Sequence, residues 1–281
     1  PQLVADFKDG VYGKNSAIST FDNVLNHVRN SNATMVDSDG LLKWAPHNFL
    51  RYSEQFDNAA WSKTNVSVTA NGATSPDGKT TAEEVSATST VSSTFIHQAI
   101  SVVAGANYTQ NVYVKAGTLN FVMVSSRWGS GNSSRTWFNV ATGVRTSGTF
   151  AEISDAGDGW YLISLTDTAV SNDAFRIFVV NADGETVSSS LGHIYLWGAH
   201  AYRSDLGGMV NNPATGDSYV PTTNAARYLP RENHHVYNGS AWVKEGYLHE
   251  PEAATNLFTY SNDFTNGWVN ASHNTITASE A

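Results

Sequence analysis

From Asn48 to Arg203 the chain alternates short apolar runs with turn residues. HQAISV (97–102), NYTQNVYVKAG (107–117), NFVMVSSRW (120–128), RTWFNV (135–140), GWYLISLT (159–166), FRIFVVN (175–181) and HIYLWGAHAY (193–202) are rich in β-branched and aromatic residues. Asn71-Gly72, Pro76-Asp77-Gly78, Asp158-Gly159 and Ala182-Asp183-Gly184 supply turns between strands. No long 3.6-residue period interrupts the series. Seven such runs within residues 48–203 predict an all-β unit, an antiparallel β-sandwich.

Residues 1–47 read differently. FDNVLNHVRN (21–30) spaces Phe21, Val24, Leu25 and Val28 as on one helical face, with Thr20 as N-cap. A strand pair turning at DSDG (37–40) fits the segment as well, and pattern alone leaves both open. Leu3, Val4, Phe7, Phe21 and Leu25 need burial, so residues 1–47 are expected to pack on the sandwich or to anchor it. Residues 204–255 carry Gly207-Gly208, several Pro and a hairpin signal at Asn238-Gly239, the pattern of an extended connector.

The lead-in to the sandwich recurs. NFLRYSEQFDN (48–58) and NLFTYSNDFTN (256–266) match at Asn48/Asn256, Tyr52/Tyr260, Ser53/Ser261, Phe56/Phe264 and Asn58/Asn266. Trp61 and Trp268 follow, offset by one residue, and SVTA (67–70) answers TITA (275–278). Residues 256–281 therefore read as the start of a second, truncated module in a tandem array.

Composition sharpens the picture. Charged residues are 15% of the chain, against roughly 25% in an average soluble protein. Ser (31), Thr (27) and Asn (26) fill the gap, and all three compete with helix for backbone hydrogen bonds. The net charge of −9 argues against nucleic acid as a partner. No apolar run reaches membrane-span length, and Pro1–Gly10 does not read as a signal peptide. Cysteine is absent, which removes disulfides and thiol chemistry.

Catalytic patterns are weak. GSGNSS (129–134) is not a nucleophile elbow, and no zinc-protease helix or Walker motif occurs. Glu83 and Glu84 are adjacent and point to opposite faces of a strand. The nine His are scattered without ligand spacing. Asp37 and Asp39 before Gly40, like Asp155 and Asp158 before Gly159, read as turn residues, although a structural Ca²⁺ is compatible with them. No cofactor and no catalysis are expected.

Aromatics are the better lead, because sugar CH faces stack on indole and phenyl rings. Arg127 and Trp128 end one strand, and Arg135 and Trp137 open the next. If the two strands form a hairpin, these residues converge with Asn132 of the intervening loop as a glycan-binding end of the sandwich. Trp61, Trp160 and Trp197 sit within module motifs and read as core.

These motifs also carry a resemblance. ATMVDSDGLLKWAPHN (33–48) running into NFLRYSEQFDNAAW (48–61), then DGWYLISLT (158–166), IYLWGAHAY (194–202) and YVPTTNAARYLPREN (219–233), resembles a module of tailed-phage virion proteins described as head spikes, head fibres or tail fibres. The resemblance implies a jelly-roll sandwich akin to carbohydrate-binding modules, and a place on the virion surface. It further implies host-surface glycans and other virion proteins as partners, the latter through the N-terminal region. Homo-oligomers are compatible with it, it implies no catalytic residue, and no membrane contact is expected from the lack of a spanning apolar run.

Overall fold

The computed structural model describes residues 3–25, 27–126 and 134–249. The chain opens on β1 (Leu3–Asp6), β2 (Val11–Lys14) and β3 (Ala17–Ser19), which form an antiparallel three-stranded sheet. One helical turn, α1 (Phe21–Val24), follows Thr20. Phe21 packs on Tyr12 (ring centroids 5.4 Å apart) and on Tyr247 (5.2 Å), and Phe7 stacks on Tyr247 (5.5 Å). Leu3 and Val4 remain exposed instead of packing: they point to opposite faces of β1, the edge strand of a small sheet, and neither side is covered there. The turn at 37–40 joins β4 (Thr34–Val36) to β5 (Leu42–Trp44), so helical turn and hairpin both occur in this segment. β6 (His47–Asn48) leads into the sandwich.

Twelve strands then stack as two antiparallel sheets. In chain order they are β7 (Ser62–Thr64), β8 (Val66–Ala73), β9 (Ala82–Ala87), β10 (Phe95–Ile100), β11 (Asn107–Ala116) and β12 (Phe121–Ser126). β13 (Thr136–Asn139), β14 (Val144–Ser147), β15 (Ala151–Gly157), β16 (Trp160–Thr168), β17 (Asp173–Val180) and β18 (Gly192–Arg203) complete the set. The first sheet runs β14-β13-β12-β17-β10-β7 and the second β15-β16-β11-β18-β9-β8. The fold is thus the antiparallel all-β sandwich that the strand spacing predicts, of the jelly-roll type that the resemblance implies.

The period of two decides what fills the core. Ile96 and Ile100 of β10, Val122 and Val124 of β12 and Phe175, Ile177 and Val179 of β17 point inward. They meet Val85, Val112, Val114, Ile163 and Leu165 of the second sheet, with Phe56 and Trp61 closing one side. Gln98 also points inward, and its amide exchanges two hydrogen bonds with the Arg51 backbone, which removes the cost of burying it.

The stretch after β18 folds back so that Tyr219 covers part of the second sheet. Tyr219 lies on the sheet's outer face with Trp197 (5.1 Å) and Trp160, so all three tryptophans read as core are buried, Trp61 between the sheets and the other two under this return. β19 (Arg227–Tyr228) pairs with β6. β20 (His234–Tyr237) and β21 (Trp242–Gly246) form a hairpin about Asn238-Gly239. The repeated lead-in residues hold this return. Asn48 bonds to backbone of β18 and of the connector, and Ser53 Oγ accepts from the Thr222 amide at 2.9 Å and meets Tyr219 Oη at 2.9 Å. The second copy, 256–281, lies outside the described residues.

Candidate functional site

The outer face of the first sheet is apolar where an ordinary sandwich face is polar. Antiparallel register sets residues of five strands in one transverse row: Thr64, Phe95, Phe178, Met123 and Trp137. Ser147 of β14 ends the row. Met123 and Phe178 are buried beneath half-buried Phe95, Phe121 and Trp137. The Phe95 and Phe178 rings are 4.8 Å apart with planes tilted by 30°. One step along the strands a polar row begins, with His97 opposite Arg176 and Arg176 opposite Ser125. The Arg176 guanidinium lies 5.1 Å from the Phe95 ring centroid, a cation–π contact that turns its charge toward this face. One step the other way stand Asn139, Phe121 and Val180.

A loop braces one end of the row. The Trp137 indole N–H donates to the Glu185 carbonyl at 2.6 Å, which fixes the ring on the sheet. Burial pushes the Glu185 carboxyl up, but Ser189 and the amides of Asn181 and Ala182 hold it below the usual carboxylate range. Ser147 and Thr146 hydroxyls likewise hold Asp183 low, each at 2.6 Å. Both carboxylates are engaged in shaping the loop. The surface that results offers rings flanked by a guanidinium, an imidazole and hydroxyls, which suits stacking and hydrogen bonding.

The residues expected from sequence distribute unevenly here. β12 and β13 do pair as a hairpin. Arg127, Trp128 and Asn132 lie outside the described residues. Arg135 is half-buried just before β13, two positions from Trp137 and so on the same side of the strand. Trp137 is the second residue of β13, one pair in from the loop, and stands opposite Met123 within the row. Phe95, Phe121, Phe178, His97 and Arg176 were not read as site residues from sequence. Their signal was the alternation in FIHQAI and FRIFVV, where every second residue faces away from the core.

Two other groups of titratable residues are structural. Burial pulls His47 down to about 4 and His200 down to about 3. His200 Nε2 lies 2.8 Å from the His47 carbonyl, and His47 Nε2 accepts from the Arg203 amide at 3.0 Å. Asp37 caps its own turn through the Asp39 and Leu41 amides and pairs with Lys43 at 3.0 Å, the role of a turn residue. Among the described residues no three His, Asp or Glu are grouped to hold a metal.

No protein-family model and no curated protein matches this chain. Solved structures give distant likenesses. The enzymatically active domain of tailspike protein 4 from bacteriophage CBA120 aligns with a TM-score of 0.36 and 16% identity, over 56% of this chain. The chain spans 21% of that protein's length. The CBM22-1 xylan-binding domain of Xyn10C from Paenibacillus barcinonensis aligns with a TM-score of 0.32 and 12% identity, covering 63% of this chain and 97% of that domain.

Proposed function

We propose that this chain is a saccharide-binding sandwich of a phage or phage-like surface appendage, and that the transverse row is its binding platform. The observation that carries the reading is the row itself. Phe95, Phe121 and Trp137 stay partly exposed over a buried Met123–Phe178 floor, with Arg176 and His97 beside them. Rings fixed in this way lose little conformational freedom on binding, which favours weak, stacking-based recognition of sugars. Catalysis has no part in it, since the nearby Asp183 and Glu185 are engaged in holding the loop. The place on a virion surface rests on the sequence motifs, as do attachment to other virion proteins through residues 1–47 and host-surface glycans as ligands. Binding of the full chain to a glycan array tests the reading. Phe95→Ala and Trp137→Ala should each weaken binding about tenfold while the fold is kept. Absence of any glycan ligand, or unchanged binding by both variants, sinks it.

A second reading is favoured by the repeat: the module is a spacer unit. Asn256, Ser261 and Phe264 recur in register, and Trp268 offset by one residue, with Asn48, Ser53, Phe56 and Trp61, which close the first sandwich. Under that reading 256–281 begins another sandwich, and the wild-type chain binds no glycan.

A further inference from the structure

A cleft of about 500 Å³ separates the N-terminal sheet from the returning connector. It is far from the aromatic row in chain and in sheet: β2, β3 and α1 form one wall, and residues 212–215 and 227–233 form the other. Phe21, Leu229, Pro221 and Pro230 give it apolar surface, and Asp22 and Glu232 both face it.

We propose that this cleft is a second saccharide site, taking one or two pyranose rings with Asp22 and Glu232 as the hydroxyl acceptors. Each carboxylate has one oxygen engaged. Tyr12 Oη donates to Glu232 Oε2 at 3.1 Å, and Arg227 Nη2 donates to Asp22 Oδ2 at 2.6 Å. Among the described residues the second oxygen of each accepts no hydrogen bond. Tyr12 is itself 5% exposed, so the group that orients Glu232 is fixed by packing. Burial, with the nearby Asp22 charge, holds the Glu232 carboxyl above its ordinary range. A neutral donor such as a sugar hydroxyl answers that partly dehydrated acceptor without adding charge.

The lining argues against other ligand classes. Asp9, Asp22 and Glu232 outnumber Arg227 and Lys244, and Arg227 is already paired, so a phosphate would meet net repulsion. An apolar ligand would strip water from two carboxylates and give nothing back. A sugar ring has a CH face for Phe21 and the prolines and hydroxyls for the acids, and the volume falls in the ordinary range for small-ligand sites. The proposal shares its ligand class with the sheet-face reading but none of its residues.

Hydrogen–deuterium exchange of the full chain, with and without maltose, cellobiose, lactose and N,N′-diacetylchitobiose, separates the two surfaces. At least one probe should slow exchange in residues 9–22 and 227–233. Glu232→Gln and Asp22→Asn should weaken that protection about tenfold. Asp22→Asn breaks only a surface ion pair, so the fold should survive it. The cleft is overturned if no probe slows exchange in either segment, or if slowing persists unchanged in both variants. Slowing confined to 95–100 and 121–126 would likewise overturn it and support the aromatic row, whereas slowing confined to the cleft would do the reverse.

Discussion

The Asn48 side chain donates to the Ala199 carbonyl at 3.1 Å and to the Val220 carbonyl at 2.8 Å. Its Oδ1 accepts from the Leu50 and Ala201 amides at 3.0 and 3.1 Å. One fully buried amide thereby joins the lead-in, β18 and the connector, with every donor and acceptor satisfied. Asn48→Ala should strand buried backbone groups on three segments and cost about 3 kcal/mol or more. Urea unfolding measures it, and a loss below about 1 kcal/mol would show that the surrounding packing suffices.

Stability should peak near pH 6.5. His47 and His200 are held neutral by burial, at about 4 and about 3 against 6.5 when unfolded. Their contribution is present above pH 6.5 and is lost as pH falls toward those values. Burial, with the Asp57 charge, pushes Glu83 up to about 8 from 4.5. The folded state therefore binds the Glu83 proton more tightly, and this contribution declines as pH rises from 4.5 to 8. Of these three groups, the two histidines outweigh Glu83 between 4.5 and 6.5, and above 6.5 Glu83 alone still changes its contribution. Glu83→Gln should flatten the alkaline side of a melting-temperature profile and leave the acid side in place. An equally steep alkaline loss in the variant would remove Glu83 as its cause.

Gly148 has φ +77°, and a Cβ there would collide with the Arg135 carbonyl. Gly184 has the same φ with open space around it. Gly184→Ala should cost about 1 kcal/mol for the left-handed backbone alone, and Gly148→Ala clearly more, by urea unfolding. Equal costs would mean that the β13–β14 end yields to the extra methyl group.

Glu185→Ala removes the acceptor that gathers the Asn181, Ala182 and Ser189 amides. Exchange should quicken across 181–190, and glycan affinity should fall because the carbonyl holding the Trp137 indole is no longer fixed. If exchange quickens while binding stays unchanged, the brace on Trp137 does not matter for recognition.

Much of the fold could be read from period two alone. Phe175, Ile177 and Val179 announce an inward face, and Asn238-Gly239 announces its hairpin. The candidate site was less legible because it is a property of register. Phe95 and Trp137 come together only through Phe178 and Met123, which lie on two other strands, and nothing local in the sequence sets those partners opposite one another. The cleft is harder still, since Tyr12 and Glu232 are 220 residues apart. Trp160 and Trp197 are buried, as their motifs suggest, but their cover was not legible, because Tyr219 belongs to a stretch whose Gly and Pro content suggested an open connector.

The bonds of Asn48 also set a schedule for synthesis. Its partners at Ala199 and Val220 lie 151 and 172 residues downstream, so a chain leaving the ribosome carries its lead-in unseated until the connector emerges. By the time Tyr219 and Thr222 are available, a second segment with the same docking residues, beginning at Asn256, follows closely behind. The first copy is favoured by arriving earlier; under the spacer reading, in which 256–281 begins a second module, any delay in seating it would open the way to exchange of lead-ins between modules.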